Sequence, residues 1–166
     1  MPIKPHIPKI VSGGQTGADR AALDWGLGRG VECGGWCPKG RRAEDGPISR
    51  IYPLIETPSA DYAQRTEWNV RDSGGTVIFS IEPDLAGGSK KTAEFAVKHN
   101  KACLHLHSRR RDAAQALRNF IADNEILTLN VAGPRASEEP DVEQFVKSVL
   151  AEAFPAPEID RGWSQL

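Results

Sequence analysis

Apolar positions along the chain fall into short β-branched runs separated by longer amphipathic stretches. Lys9-Ile10-Val11-Ser12 predicts a first strand. Gly13-Gly14-Gln15-Thr16-Gly17 then predicts a turn into a helix over 18–29, with Ala21, Ala22, Leu23, Trp25 and Leu27 as its apolar positions. Thr16 and Asp19 resemble a capping box with Asp in the acidic position. The stretch 31–38 predicts a second strand. Residues 39–58 are polar and proline-broken, longer than a plain connector, and read as a functional loop or lid. Ser59 is expected to cap a helix reaching Asp72. Strands are expected over 76–80, 102–107 and 126–131. Helices are expected over 89–100, 112–124 and, with Pro140 in its first turn, up to Phe154.

Strands alternating with helices at this spacing predict an α/β, Rossmann-like doubly wound sheet. About five parallel strands are expected, with Lys9–Ser12 central and helices on both faces. Three prolines within Met1–Pro8 rule out a helix there, so residues 1–8 read as a flexible arm, 9–154 as one ligand-binding domain and 155–166 as a tail. At 166 residues the chain suffices for one sizeable core.

A net charge of -1 gives no electrostatic reason to expect nucleic acid. Arg41-Arg42 and Arg109-Arg110-Arg111 read as solvated loop charges. There is no apolar run of membrane-spanning length and no signal-peptide pattern, and Cys33, Cys37 and Cys103 are odd in number with no framework spacing; a cytoplasmic protein is expected. Cys33 and Cys37, spaced C-x3-C, read as small semi-buried residues rather than zinc ligands.

In an open parallel sheet, ligands sit beyond the carboxyl ends of the strands. Three loops leave such ends with residues suited to an anion. In the first, Gly13, Gly14, Gln15, Thr16 and Gly17 let backbone approach a phosphate ahead of a helix N-terminus. Gly14→Val is expected to block binding there without disturbing the fold. Asp19 sits in the first helical turn, where the dipole should keep it ionised. It is open between capping the helix, bonding a ligand hydroxyl and holding a divalent metal such as magnesium; no dedicated metal site is visible. In the second loop, Gly87 and Gly88 precede the hydroxyls of Ser89 and Thr92, with Lys90 and Lys91 beside them. The third, from Asn130 to Ser137, offers Gly133 for backbone approach and Arg135 for bidentate phosphate contact. Arg65, Asn69 and Asp72 share a helix face that could look into the cleft or into solvent. No G-x-S-x-G elbow accompanies Ser12 and the histidines. His105 and His107 are read as pointing opposite ways and so unable to share a metal.

Ser12–Asp24 (S-G-G-Q-T-G-A-D-R-A-A-L-D), Gly34–Gly46, Arg65–Ser73 and Leu129–Ser137 (L-N-V-A-G-P-R-A-S) resemble motifs of the molybdenum cofactor carrier family. That family is a circularly permuted branch of the lysine-decarboxylase-like nucleotide-binding superfamily. The resemblance implies a Rossmann-like fold and a carrier of molybdenum cofactor (molybdopterin) or a related phosphate-bearing pterin or nucleotide. It also implies a homodimer or homotetramer, for which the apolar residues Tyr62, Trp68, Phe145, Val146 and Val149 are candidate interface positions. Hydrolase relatives carry P-G-G-x-G-T-x-x-E where this chain has Ala86–Glu94. Glu94 keeps its spacing, but Thr92 is displaced and the third glycine is missing. A phosphoribohydrolase-like enzyme using Glu94 is therefore the alternative, with binding expected over turnover.

Overall fold

The computed structural model describes residues 6–158, so the first five residues of the expected arm and most of the expected tail lie outside it. Five parallel strands form one sheet: β1 (Lys9–Val11), β2 (Cys33–Gly34), β5 (Gly75–Ser80), β6 (Ala102–His107) and β7 (Thr128–Ala132). Their order is β2-β1-β7-β5-β6. The expected sheet is therefore present, with one change: β7, not β1, is central. Nothing local to the sequence specifies that the last strand returns between the first and the fifth.

Side chains alternate across the sheet. Val77, Phe79, Leu129 and Val131 face α1 (Ala18–Gly28), α4 (Ala113–Asp123) and α5 (Val142–Ala153) in the main core. α2 (Tyr62–Arg71) and α3 (Gly87–Lys98) pack together on the opposite face, where Val70 meets Phe95 and Ala96. Of the apolar residues considered for an interface, two are buried in the chain and Tyr62, Trp68 and Phe145 are half-buried. Phe145 stacks edge-on to Phe79 at 5.7 Å, Val146 and Val149 are buried, and Trp68 packs on Trp36 at 4.8 Å.

The expected second strand is interrupted at Gly35, and its second half, β3 (Trp36–Cys37), leaves the sheet to pair in parallel with β4 (Ile55–Glu56). The proline-broken stretch thus forms an ordered lobe over Leu23, Cys37, Ala43, Ile48, Tyr52 and Leu54. Arg41 organises it: its guanidinium donates to the carbonyls of Ile48, Ser49, Tyr52 and Leu54 at 2.7–3.2 Å. It is a structural strut and not a solvated charge.

The expected caps also differ. α1, α2 and α3 have Gly17, Asp61 and Ala86 at their N-caps, none with a side-chain cap bond. Thr16 and Ser59 bond elsewhere, and Ser89 lies inside α3.

Candidate functional site

Gly13, Gln15, Asp19, Arg65, Asn69, Gly88, Ser89, Thr92, Gly133 and Arg135 line one cleft at the carboxyl ends of β1, β5 and β7. That is where the strand order reverses. Its volume is about 80 Å³, the scale of an anionic head group and well below a typical organic-ligand pocket. The free N–H groups at the start of α3 point toward this end of the sheet.

Arg65 projects from α2 across the first loop. Its Nη1 lies 3.6 Å from Asp19 Oδ2 and donates to Thr66 Oγ1 at 3.2 Å. Only the absence of a side chain at Gly13 lets it lie there, since a Cβ would come within 2.6 Å of Nη1. Tyr62, one turn earlier on α2, offers its ring to both Arg65 (5.2 Å) and Arg135 (5.3 Å), which brings the two guanidinium groups to one aromatic plate. Burial pulls the Arg65 pKa down, with Asp19 as the main opposing influence.

Asp19 departs from expectation. Burial pushes its pKa up from 3.8 to about 6, and the Arg65 charge and the Gln15 and Gly13 backbone bonds only partly offset that. The helix dipole is outweighed by desolvation, and the carboxylate titrates close to neutrality.

Two buried donors here have no partner among the described residues: Arg65 Nε and Gln15 Nε2. Gln15 is 5% exposed, and its Oε1 is already spent on the amides of Thr16 and Glu44 (3.1 and 2.9 Å). Buried unpaired donors are costly and mark a place where something else accepts.

Four expected residues stand outside the cleft lining. Gly14, at φ 75°, packs on Leu54 and Ile48 of the lobe. Gly17, at φ 84°, has no room for a Cβ against the Pro134 carbonyl. Thr16 donates to Glu44 and accepts from the Ala136 amide, and Gly87 is exposed at the start of α3. Asn69 lines the cleft, but its amide is spent on the Trp36 backbone: it donates to the carbonyl at 2.9 Å and accepts from the N–H at 2.8 Å. Asp72 accepts from the Trp36 indole and does not enter the cleft.

Glu44 had no signal in the sequence. Its carboxylate accepts from Thr16 Oγ1 and from Ser137 N and Oγ, tying the lobe to the first and third loops. Those bonds hold its pKa below the usual range. Tyr62 and Thr66 were findable, as residues one turn or less from Arg65.

Glu94 is exposed, pairs with Lys91 at 3.6 Å and does not line the cleft. Ser12 donates to the Asp19 carbonyl at 3.0 Å and touches no histidine. His105 and His107 face the same way, because residues two apart on a strand share a side; their rings are 5.7 Å apart. His105 Nε2 meets Ser80 Oγ at 2.6 Å, but Ser80 gives its one proton to the Glu82 carbonyl. His105 must then donate, which leaves Ser80 without a base. Among the described residues no cluster of three or more His, Cys, Asp or Glu could hold a metal. Asp19, the residue considered for a divalent metal, lies 3.6 Å from the Arg65 guanidinium.

Residues 10–154 match the circularly permutated YpsA SLOG family. The chain belongs to that family. A solved structure from Syntrophus aciditrophicus, of a protein provisionally named a molybdenum carrier, is 47% identical with a TM-score of 0.88. The match covers 93% of this chain and 98% of that one. No curated protein matches the sequence. Among the described residues no helix of this SLOG protein is long and apolar enough to cross a membrane.

Proposed function

We propose that this SLOG protein binds and carries a ligand with a phosphate or similar oxyanion, namely molybdenum cofactor or a related pterin or nucleotide. The observation that carries the reading is the cleft's pair of unpartnered buried donors, Gln15 Nε2 and Arg65 Nε, beside Arg65, Arg135 and the α3 N-terminus. A phosphate oxygen supplies the acceptors these groups lack. The donor set suits the phosphate of molybdopterin, with Arg65, Arg135 and the Ser89 hydroxyl as its holders, while the Thr92 hydroxyl donates to the Gly88 carbonyl at 2.9 Å and only lines the cleft. The relative's provisional name supports the molybdenum reading. Mass spectrometry of the small molecule that copurifies with the native protein tests it: a pterin phosphate or nucleotide supports the proposal, and no phosphate-bearing species together with no phosphate affinity overturns it.

Nucleotide hydrolysis is the second reading, and Asp19 favours it, since a buried carboxylate titrating near 6 suits proton transfer. Base release from nucleoside monophosphates decides the question. Turnover lost in Asp19→Asn replaces the carrier reading, whereas micromolar ligand affinity without turnover keeps it.

A further inference from the structure

The anion cleft adjoins a second compartment of about 260 Å³, reached past a shared wall of Ser89, Pro134 and Glu138. Ser89 is only 6% exposed, and its hydroxyl has no partner among the described residues, although it lines both compartments. The second compartment has apolar sides, from Leu85, Ala86 and Pro134, and an acidic edge.

The acids of that edge are not equivalent. Glu139 spends both oxygens on the amides of Ile81 and Glu82 at 3.0 Å, and Glu138 pairs with Arg135 at 3.3 Å. The side-chain carboxylates of Glu82 and Asp84, both exposed, have no hydrogen-bond or ion-pair partner among the described residues. A slot with apolar walls and free carboxylates repels phosphate. It suits a flat ring with adjacent N–H donors, two of which can meet one carboxylate in parallel.

We infer that this compartment holds the ring of the ligand by a 2-amino-4-oxopyrimidine edge, read by Asp84 and Glu82, while the neighbouring cleft holds the phosphate. That edge is common to guanine and to pterins. Adenine lacks the paired donors and hypoxanthine lacks the 2-amino group. The inference rests on the oxyanion-binding reading above and adds the ring class and the residues that select it. A site built for a donor pair rejects a ring without it, because the acceptor is left unpaired.

Calorimetry on the full chain tests this with inorganic phosphate, GMP, IMP, AMP and dihydroneopterin monophosphate. GMP and the pterin phosphate should bind at least about tenfold tighter than AMP, with IMP between. Comparing GMP with the pterin phosphate identifies which source of the edge fits better. Asp84→Asn with Glu82→Gln, two exposed and isosteric changes, should bring GMP to the AMP level and leave phosphate affinity unchanged. If phosphate binds but the nucleotides are not distinguished, or if the double variant still prefers GMP, the ring assignment is wrong and the oxyanion reading stands. If neither phosphate nor any ring compound binds, both fall.

Discussion

Replacing Asp19 by Asn should tighten anion binding at neutral pH and remove its pH dependence. An oxyanion held by Arg65 would sit roughly 6 Å from the Asp19 carboxylate, given one hydrogen bond to a guanidinium 3.6 Å from Oδ2. At an effective dielectric constant of about 20 the repulsion is about 3 kcal/mol per unit of anion charge, on the order of a hundredfold in Kd. Because the pKa of Asp19 is raised to about 6, the parent protein should gain the same affinity when that group protonates. Sulfate is the suitable probe because it keeps its charge across the range. Its affinity for the parent should rise as pH falls from about 8 to about 5, and that for Asp19→Asn should stay flat and high. Calorimetry at several pH values, with circular dichroism to verify folding, provides the measurement. A flat profile in the parent, or the same slope in the variant, would refute the reasoning. Stability follows the same sign. The folded pKa lies above the unfolded 3.8, so the ionised carboxylate costs the fold about 3 kcal/mol above pH 6. That cost fades as pH falls through 6 and is gone near 4.

Gly14→Val should lower stability by roughly 2 kcal/mol or more, several degrees in Tm, because φ is 75° and a Cβ would meet Leu54 Cδ1 at 2.6 Å; this replaces the expectation that the fold would be indifferent, and an unchanged melting curve would refute it. Arg135→Lys should weaken phosphate binding by about tenfold, since an ammonium cannot reproduce the planar fork over Tyr62; equal affinity would remove Arg135 from the site. Glu94→Gln should leave ligand affinity within about twofold and cost under about 1 kcal/mol, the worth of an exposed pair; a large loss of binding would return Glu94 to the site. Light scattering should give a mass above 18.1 kDa, on the ground that Ile51 and Ile55 of the lobe stand exposed; a monomer's mass would end the dimer or tetramer proposal.

The sheet was legible because its strands are short apolar runs between helical periodicities, and β6 falls on the residues that pattern marks. The three loops were legible because parallel topology delivers them to one edge. What each glycine does there was not. Gly13, Gly14 and Gly17 look alike in sequence, yet one clears space for Arg65, one seats the lobe and one admits the Pro134 carbonyl. Such roles depend on partners far along the chain. The parallel pair in the lobe was hidden for the same reason, since two-residue strands carry no periodicity and Arg41 forms their scaffold with its side chain. Asp19 shows how a local rule fails: a first-turn carboxylate should be acidic, but burial decides its pKa.

The bonds around Glu44 also bear on how this chain is made. Ala136 N and Thr16 Oγ1, 120 residues apart, meet beside a carboxylate from a third stretch of chain. Closing such distant segments is entropically late, so the cleft is complete only after the last strand and its loop have arrived. A ribosome-bound or truncated chain ending before Asn130 would have the first glycine loop and no pocket. The oxyanion binding proposed for the cleft would therefore begin only once the chain extends past that strand and its loop.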